Sequence, residues 1–134
     1  MAEKIKLDIV TPDGLVAEDE VDEITAPGSE GEFGVVPGHA PFLTTLKIGM
    51  LTTKTGGETA NYFVNWGYAE VGPDKVTVLA DSSERSDEID VERAKAAMER
   101  AEERIRMNND VDFARAEAAL ARALMRIHVV EKKI

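Results

Sequence analysis

VTVLADSSERSDEIDVERAKAAMERAEERI, residues 76 to 105, changes character half-way along. Val76 to Ala80 reads as a short strand, whereas Val91, Ala94, Met98, Ala101 and Ile105 recur at heptad-like spacing, as the apolar stripe of an amphipathic helix does. The junction lies near Asp81 to Asp87. Glycine and proline divide at the same place, since all ten Gly and all five Pro stand at or before Pro73. Charge divides there too: residues 1 to 84 hold 5 basic and 15 acidic side chains, and residues 85 to 134 hold 11 of each. The division predicts a β unit over residues 1–84 followed by a helical unit over 85–134.

Upstream of the junction the chain is a run of short strand candidates between turn signals, the pattern of a sandwich or barrel. Lys4 to Val10 alternates, with Ile5, Leu7 and Ile9 on one face, and Thr11-Pro12-Asp13-Gly14 follows as a turn. Further strands are expected around Val21–Ala26, Phe33–Val36, Met50–Lys54, Tyr62–Val64 and Tyr68–Val71, with Gly56-Gly57 and Gly72-Pro73-Asp74 as hairpin connections. Downstream, an alanine-rich and glycine-free composition favours helix. A second helical stripe runs through Phe113, Ala116, Leu120, Leu124 and Ile127, and Asn108-Asn109-Asp110 suits the turn between two helices. These stripes are narrow and partly Ala, so they predict an antiparallel hairpin weakly docked on its neighbour.

Composition excludes several kinds of function. A net charge of −10 opposes binding to a phosphate backbone, so no nucleic-acid partner is expected. There is no cysteine for disulfides, zinc thiolates or thiol catalysis, and two separated histidines do not build a metal cage, so no metal site is expected. No apolar run approaches the ~20 residues that cross a bilayer, and MAEKIK lacks the layout of a signal peptide. Direct membrane insertion is therefore not expected, and the cytosol, or the cytosolic side of a membrane, is.

No nucleophile with a base, and no pair of carboxylates facing a cleft, stands out as a catalytic centre. His39 lies in the rigid run Val36-Pro37-Gly38-His39-Ala40-Pro41, where a polar contact residue is the more economical reading than a general base. Gly28, Gly31 and Gly34 imitate part of a dinucleotide fingerprint, but no helix follows to point its N-terminus at a phosphate. The dense Gly31-to-Phe42 segment reads equally as a tight corner of the sandwich or as a stiff apolar edge that docks on a partner. Arg93 and Arg100 are seven apart, as are Arg115 and Arg122, with Arg126 four further on. If the helices pair, Arg93, Arg100, Arg122 and Arg126 share a face suited to a polyphosphate, or else form a solvated surface with nearby glutamates.

GEFGVVPGHAP (31–41), VTVLAD (76–81) and IDVERA (89–94) occur in this order along a chain that resembles, end to end, the epsilon subunit of bacterial F-type ATP synthases. The resemblance implies an N-terminal β-sandwich of about ten strands and a C-terminal two-helix hairpin, with no active site of its own. It implies a central-stalk role, in which the sandwich couples the gamma subunit to the rotor c-ring. Glu32 and His39 then fall on the exposed stretch that faces those partners. The hairpin is implied to move between a folded position and one extended into the catalytic alpha/beta hexamer, where it inhibits ATP hydrolysis and offers Arg115, Arg122 and Arg126 to acidic segments. ATP is implied as a regulatory rather than an obligatory ligand, held through Ile89, Asp90, Arg93 and Ala94 of the motif with Glu84, Arg100, Arg122 and Arg126. Glu92 departs from that pattern by placing an extra negative charge inside it. The implied location is peripheral, on the cytoplasmic side of the bacterial plasma membrane. A free-standing ATP sensor with no larger machine is the alternative.

Overall fold

The computed structural model describes residues 3–107 and 113–132. The turn expected at Asn108 to Asp110 lies outside them. Eight strands come first: β1 (Ile5–Thr11), β2 (Gly14–Val21), β3 (Glu23–Gly28), β4 (Gly31–Val35), β5 (Phe42–Leu46), β6 (Gly49–Thr55), β7 (Glu58–Val71) and β8 (Lys75–Arg85). A 3-10 turn at Ser86–Glu88 leads to α1 (Val91–Arg106), and α2 (Phe113–Glu131) follows. The order of a β-sandwich then a helical hairpin is as expected, with eight strands where the resemblance implies about ten.

The strand count turns on β7, which runs unbroken through the two segments expected at 62–64 and 68–71. On one side it pairs with β8 along most of its length; on the other, its first half pairs with β6 and its second half with β5. It therefore belongs to two layers, and the bend between them falls at Trp66 and Gly67. Trp66 has a φ of 37°, the only positive φ at a non-glycine among the described residues, and Gly67 has a φ of 153°. A Cβ on Gly67 would lie 2.1 Å from the Leu79 carbonyl oxygen, so only glycine lets β7 turn this close to β8.

The bend folds the sheet over a single core. Ile5, Leu7 and Ile9 of β1, as their alternation predicts, point inward and are completely buried, and they pack with Ile24, Leu51, Val64, Val71 and Val78. The strand path is β2-β1-β8-β7-β5-β3-β4, with β6 joined to β3 and β7. Among the described residues, only the β1–β8 pairing is parallel. β2 and β5 were not among the strands expected from sequence, because LVAEDEV carries three consecutive exposed acidic residues and FLTTL exposes Leu43 while burying Leu46.

The hairpin is assembled differently. In α1 the buried residues are Ala94 and Ala101; in α2 they are Ala116, Ala123 and Val129. The expected second stripe is corrected accordingly: Phe113 and Leu124 are exposed, and the contact line runs through the alanines instead, because small side chains let two helices approach closely. The start of α1 lies beside the end of α2, so the pair is antiparallel. The hairpin is folded onto the sandwich, where Ile89 and Val129 bury against Phe63 of β7, flanked by Ile48, Met50, Met125 and Val130.

Candidate functional site

Where β8, α1 and α2 meet, a cavity of about 180 Å³ is lined by Glu84, Asp90, Arg93, Ala94, Ala97, Arg100 and Arg126. Glu84 arrives from β8 opposite Phe63 of β7, on the face that carries the hairpin. Asp90 is the N-cap of α1: its Oδ1 accepts the Arg93 backbone N–H at 3.1 Å. The first turn of α1 then follows along the cavity wall. Arg93, Ala97 and Arg100 lie on one helical face at intervals of four and three, and the alanines leave the space between the arginines open.

Arg126 is the most constrained of the three arginines. Its Nε donates to Glu84 Oε1 at 2.5 Å, and its guanidinium carbon lies 4.4 Å from the centre of the Phe63 ring. Glu84 and Phe63 are cross-strand partners in the β7–β8 ladder, so one arginine of the hairpin meets two neighbouring residues of the sandwich. Ser83 Oγ, next to Glu84, donates to the Phe63 carbonyl at 2.7 Å and ties the same two strands together. Three guanidinium groups against two carboxylates leave the cavity cationic, with donors in fork geometry for an anion.

Six of the expected ligand-binding residues line this cavity: Glu84, Asp90, Arg93, Ala94, Arg100 and Arg126. Ile89 does not. It is buried in the apolar contact with Phe63 and Val129, which makes it a docking residue. Arg122 is half-buried outside the lining. Ala97 and Phe63 were missed from sequence. Ala97 could have been found from its spacing between Arg93 and Arg100, whereas Phe63 needed the strand register.

Glu32 stands exposed on β4, an edge strand, opposite Pro27. His39 is half-buried, less open than expected. Its Nδ1–H donates to the Ala40 carbonyl at 2.6 Å, and its ring lies 5.2 Å from that of Phe42. No carboxylate completes a dyad with it among the described hydrogen bonds. The loop around it is fastened to the β7–β8 turn by the Gly38 N–H, which donates to the Pro73 carbonyl at 2.7 Å.

A second surface was not anticipated. Trp66 (50% exposed), Tyr68 (49%) and Leu79 (53%) form an apolar face at the β7 bend, beside Val10 and Pro12. Tyr68 and Leu79 are direct cross-strand partners, and the strained Trp66 backbone holds the indole outward. The signal lay in the phase of the alternation. Ala69 and Val71, and Val78 and Ala80, point inward, so Tyr68 and Leu79 must point out.

Residues 4–86 match the family described as ATP synthase, Delta/Epsilon chain, beta-sandwich domain, and residues 87–131 match the corresponding long alpha-helix domain. The chain belongs to the ATP synthase delta/epsilon family. The ATP synthase epsilon chain of Geobacter metallireducens is 65% identical over 102 residues, spanning 76% of this chain and 74% of that one. That of Geobacter sulfurreducens is 63% identical over the same length and shares. A chain in the cryo-EM structure of the Euglena gracilis mitochondrial ATP synthase, OSCP/F1/c-ring, superposes with a TM-score of 0.77 at 27% identity, covering 88% of this chain and 76% of that one. A Tetrahymena thermophila central stalk/c-ring chain shares the fold, with a TM-score of 0.54 at 16% identity over 64% of this chain and 69% of that one. In this epsilon-type member of the family, the cavity sits across the boundary between the two matched domains. No helix among the described residues is long and apolar enough to cross a membrane.

Proposed function

We propose that this chain is the non-catalytic epsilon subunit of a proton-translocating F-type ATP synthase. It couples gamma to the rotor c-ring through the sandwich and restrains ATP hydrolysis through the hairpin. The observation that carries the regulatory part is that the hairpin rests on the sandwich through a small contact that shares Glu84 and Arg126 with the cationic cavity. A ligand in the cavity and the position of the hairpin are then linked, because what binds one arrangement more tightly shifts the population toward it.

ATP is the ligand proposed. A space of about 180 Å³ is smaller than the ~300 Å³ or more of ordinary small-molecule pockets. It suits the phosphate end of a nucleotide, with Arg93, Arg100 and Arg126 as donors. Asp90 acts on the ligand indirectly, by capping α1 and presenting Arg93. ATP would stabilise the folded hairpin, and its depletion would release the hairpin toward the alpha/beta hexamer, with Arg115 and Arg122 among the cations then offered.

Coupling is supported by the likeness to a chain from an OSCP/F1/c-ring assembly. The Trp66–Tyr68–Leu79 face has the chemistry of a docking surface for gamma: rigid, apolar and exposed. Glu32, on an exposed edge, is placed to pair with basic loops of the c-ring, and the stiff His39 loop adds little entropy cost on docking. The location would be peripheral, on the cytoplasmic side of the bacterial plasma membrane.

Calorimetric titration with ATP tests the ligand. Binding by the parent and by Arg104→Ala, with loss in Arg93→Ala and Arg126→Ala, is the expected result. No heat at millimolar ATP would remove the nucleotide role. Co-purification with gamma tests the stalk role, and Tyr68→Glu together with Leu79→Glu should abolish it. If gamma is never captured, the free-standing sensor becomes the better account.

A further inference from the structure

Among the described residues, the Glu84–Arg126 pair is the one salt bridge that joins a helix of the hairpin to a strand of the sandwich. The apolar part of that joint is small, since its buried members among the described residues are Phe63, Ile89 and Val129. The two charged side chains are 29% and 36% exposed. The pair is shielded enough to be stronger than a surface contact, yet wet enough to exchange partners. Phe63 supports the guanidinium from beneath and leaves the carboxylate as its counter-charge. Arg93 and Arg100 enter no salt bridge among the described residues.

We propose that Glu84 is the cavity's internal anion: with no ligand bound, its carboxylate holds Arg126 and latches the hairpin to the sandwich, and an entering polyphosphate takes Arg126 from it. The latch stands on the ion pair alone, whereas the exchange rests on the nucleotide reading above. The hairpin is thereby held down in two ways, by the chain's own carboxylate when empty and by the ligand's phosphates when filled. Glu84 is a positioning residue in this scheme, acting on the ligand through Arg126.

The absence of native cysteine makes the test direct. Val129→Cys places a single thiol in the buried joint, and its rate of alkylation reports how often the hairpin lifts. Without nucleotide, Glu84→Gln should raise that rate roughly five- to tenfold, a charge-assisted hydrogen bond discounted for partial exposure. Arg126→Gln should do about the same, and the double variant no more than the larger single effect. Trp66 fluorescence shows that the sandwich remains folded in each. Hydrogen exchange of the α2 amides repeats the comparison without the introduced thiol. An unchanged rate in Glu84→Gln, or additive effects in the double variant, overturns the latch.

Saturating ATP separates the exchange from the latch. If phosphate displaces Glu84, the alkylation rates of parent and Glu84→Gln converge when ATP is added. If Glu84 touches the nucleotide itself, they diverge, and the exchange is wrong. ATP that protects neither protein, with Glu84→Gln still lifting the hairpin, leaves the latch standing and removes the nucleotide reading instead.

Discussion

The sandwich and the hairpin bury different things. The sandwich interior holds large side chains with no access to water, among them Ile5, Leu7, Ile9, Ile24, Leu51 and Tyr62, contributed by strands far apart in sequence. The hairpin's own seam is mostly alanine, and among the described residues its hold on the sandwich is a few apolar contacts around Phe63 and one ion pair. Apolar stabilisation grows with the area removed from water, at about 25 cal/mol per Å². The first interface is therefore permanent on the scale of the domain's stability, and the second can be exchanged. On the function proposed above, a coupling part and a movable regulator would need these two properties; the two units are joined across the short 3-10 turn at Ser86–Glu88.

The comparison is broken most forcefully in the sandwich. Leu7→Ala leaves a cavity at a completely buried position and should cost about 2–5 kcal/mol. Leu124→Ala, at an exposed position of α2, should change stability by under about 0.5 kcal/mol. Urea unfolding followed by the single tryptophan, which lies in the sandwich, measures both. A fragment ending at Ser86 should retain nearly the parent midpoint by the same probe. If it unfolds, the sandwich leans on the hairpin and the asymmetry is wrong.

Next in size is the joint. Val129→Ala removes two buried methyl equivalents and should weaken docking by about 1.5–2.5 kcal/mol. Because the lost contact lies outside the sandwich core, amide exchange should accelerate in α2 while the tryptophan-detected midpoint moves little. Equal movement of both would mean that the two units unfold as one.

A smaller effect comes from the cap. Asp90→Ala should cost the hairpin about 1 kcal/mol through loss of the bond to the Arg93 N–H. Asp90→Asn, which can still cap, should restore most of the helix signal in circular dichroism. If Asn rescues helicity and ATP binding together, Asp90 works through α1. If it rescues helicity alone, the charge meets the ligand.

The same asymmetry explains what could be read from sequence. β1 was legible because the inward Ile5, Leu7 and Ile9 are aliphatic while Lys6 and Asp8 between them are charged, and α1 because helical spacing and the missing glycines agree. β7 was cut in two because Trp66-Gly67 looks like a break, whereas pairing with β8 carries the strand through it. The expected stripe of α2 favoured the largest apolar residues, Phe113 and Leu124, but close approach selected Ala116 and Ala123. At the cavity, the motif located Asp90 and Arg93 by local geometry. That Arg126 meets Glu84 and Phe63, and that Arg122 lies outside, depended on how α2 sits against β7 and β8, a relation with no local signature.

The smallest effect concerns pH and sharpens the comparison from the side of electrostatics. Asp22, between β2 and β3, accepts Lys4 Nζ at 2.6 Å and the Gly56 N–H at 2.8 Å, tying the start of β1 and the β6–β7 turn to one carboxylate. The Gly56 amide and then the Lys4 ammonium hold its pKa below the usual 3.8. A carboxyl depressed in the folded state binds fewer protons than in the unfolded chain. Its stabilisation is therefore complete above the unfolded value and is lost as pH falls through the folded one. Tyr62 gives the opposite sign at the other end, because burial, and then the nearby Asp19 charge, raise its phenol above 10.0, so that its contribution is present below that pH and lost as pH rises beyond it. These groups belong to the sandwich. Urea midpoints of the parent and the Ser86-terminated fragment should thus fall in parallel below about pH 4 and above about pH 10, with Asp22→Asn flattening part of the acid limb and Tyr62→Phe part of the alkaline one. An acid limb that disappears with the hairpin would place the relevant carboxylates in the helical unit and reverse the assignment.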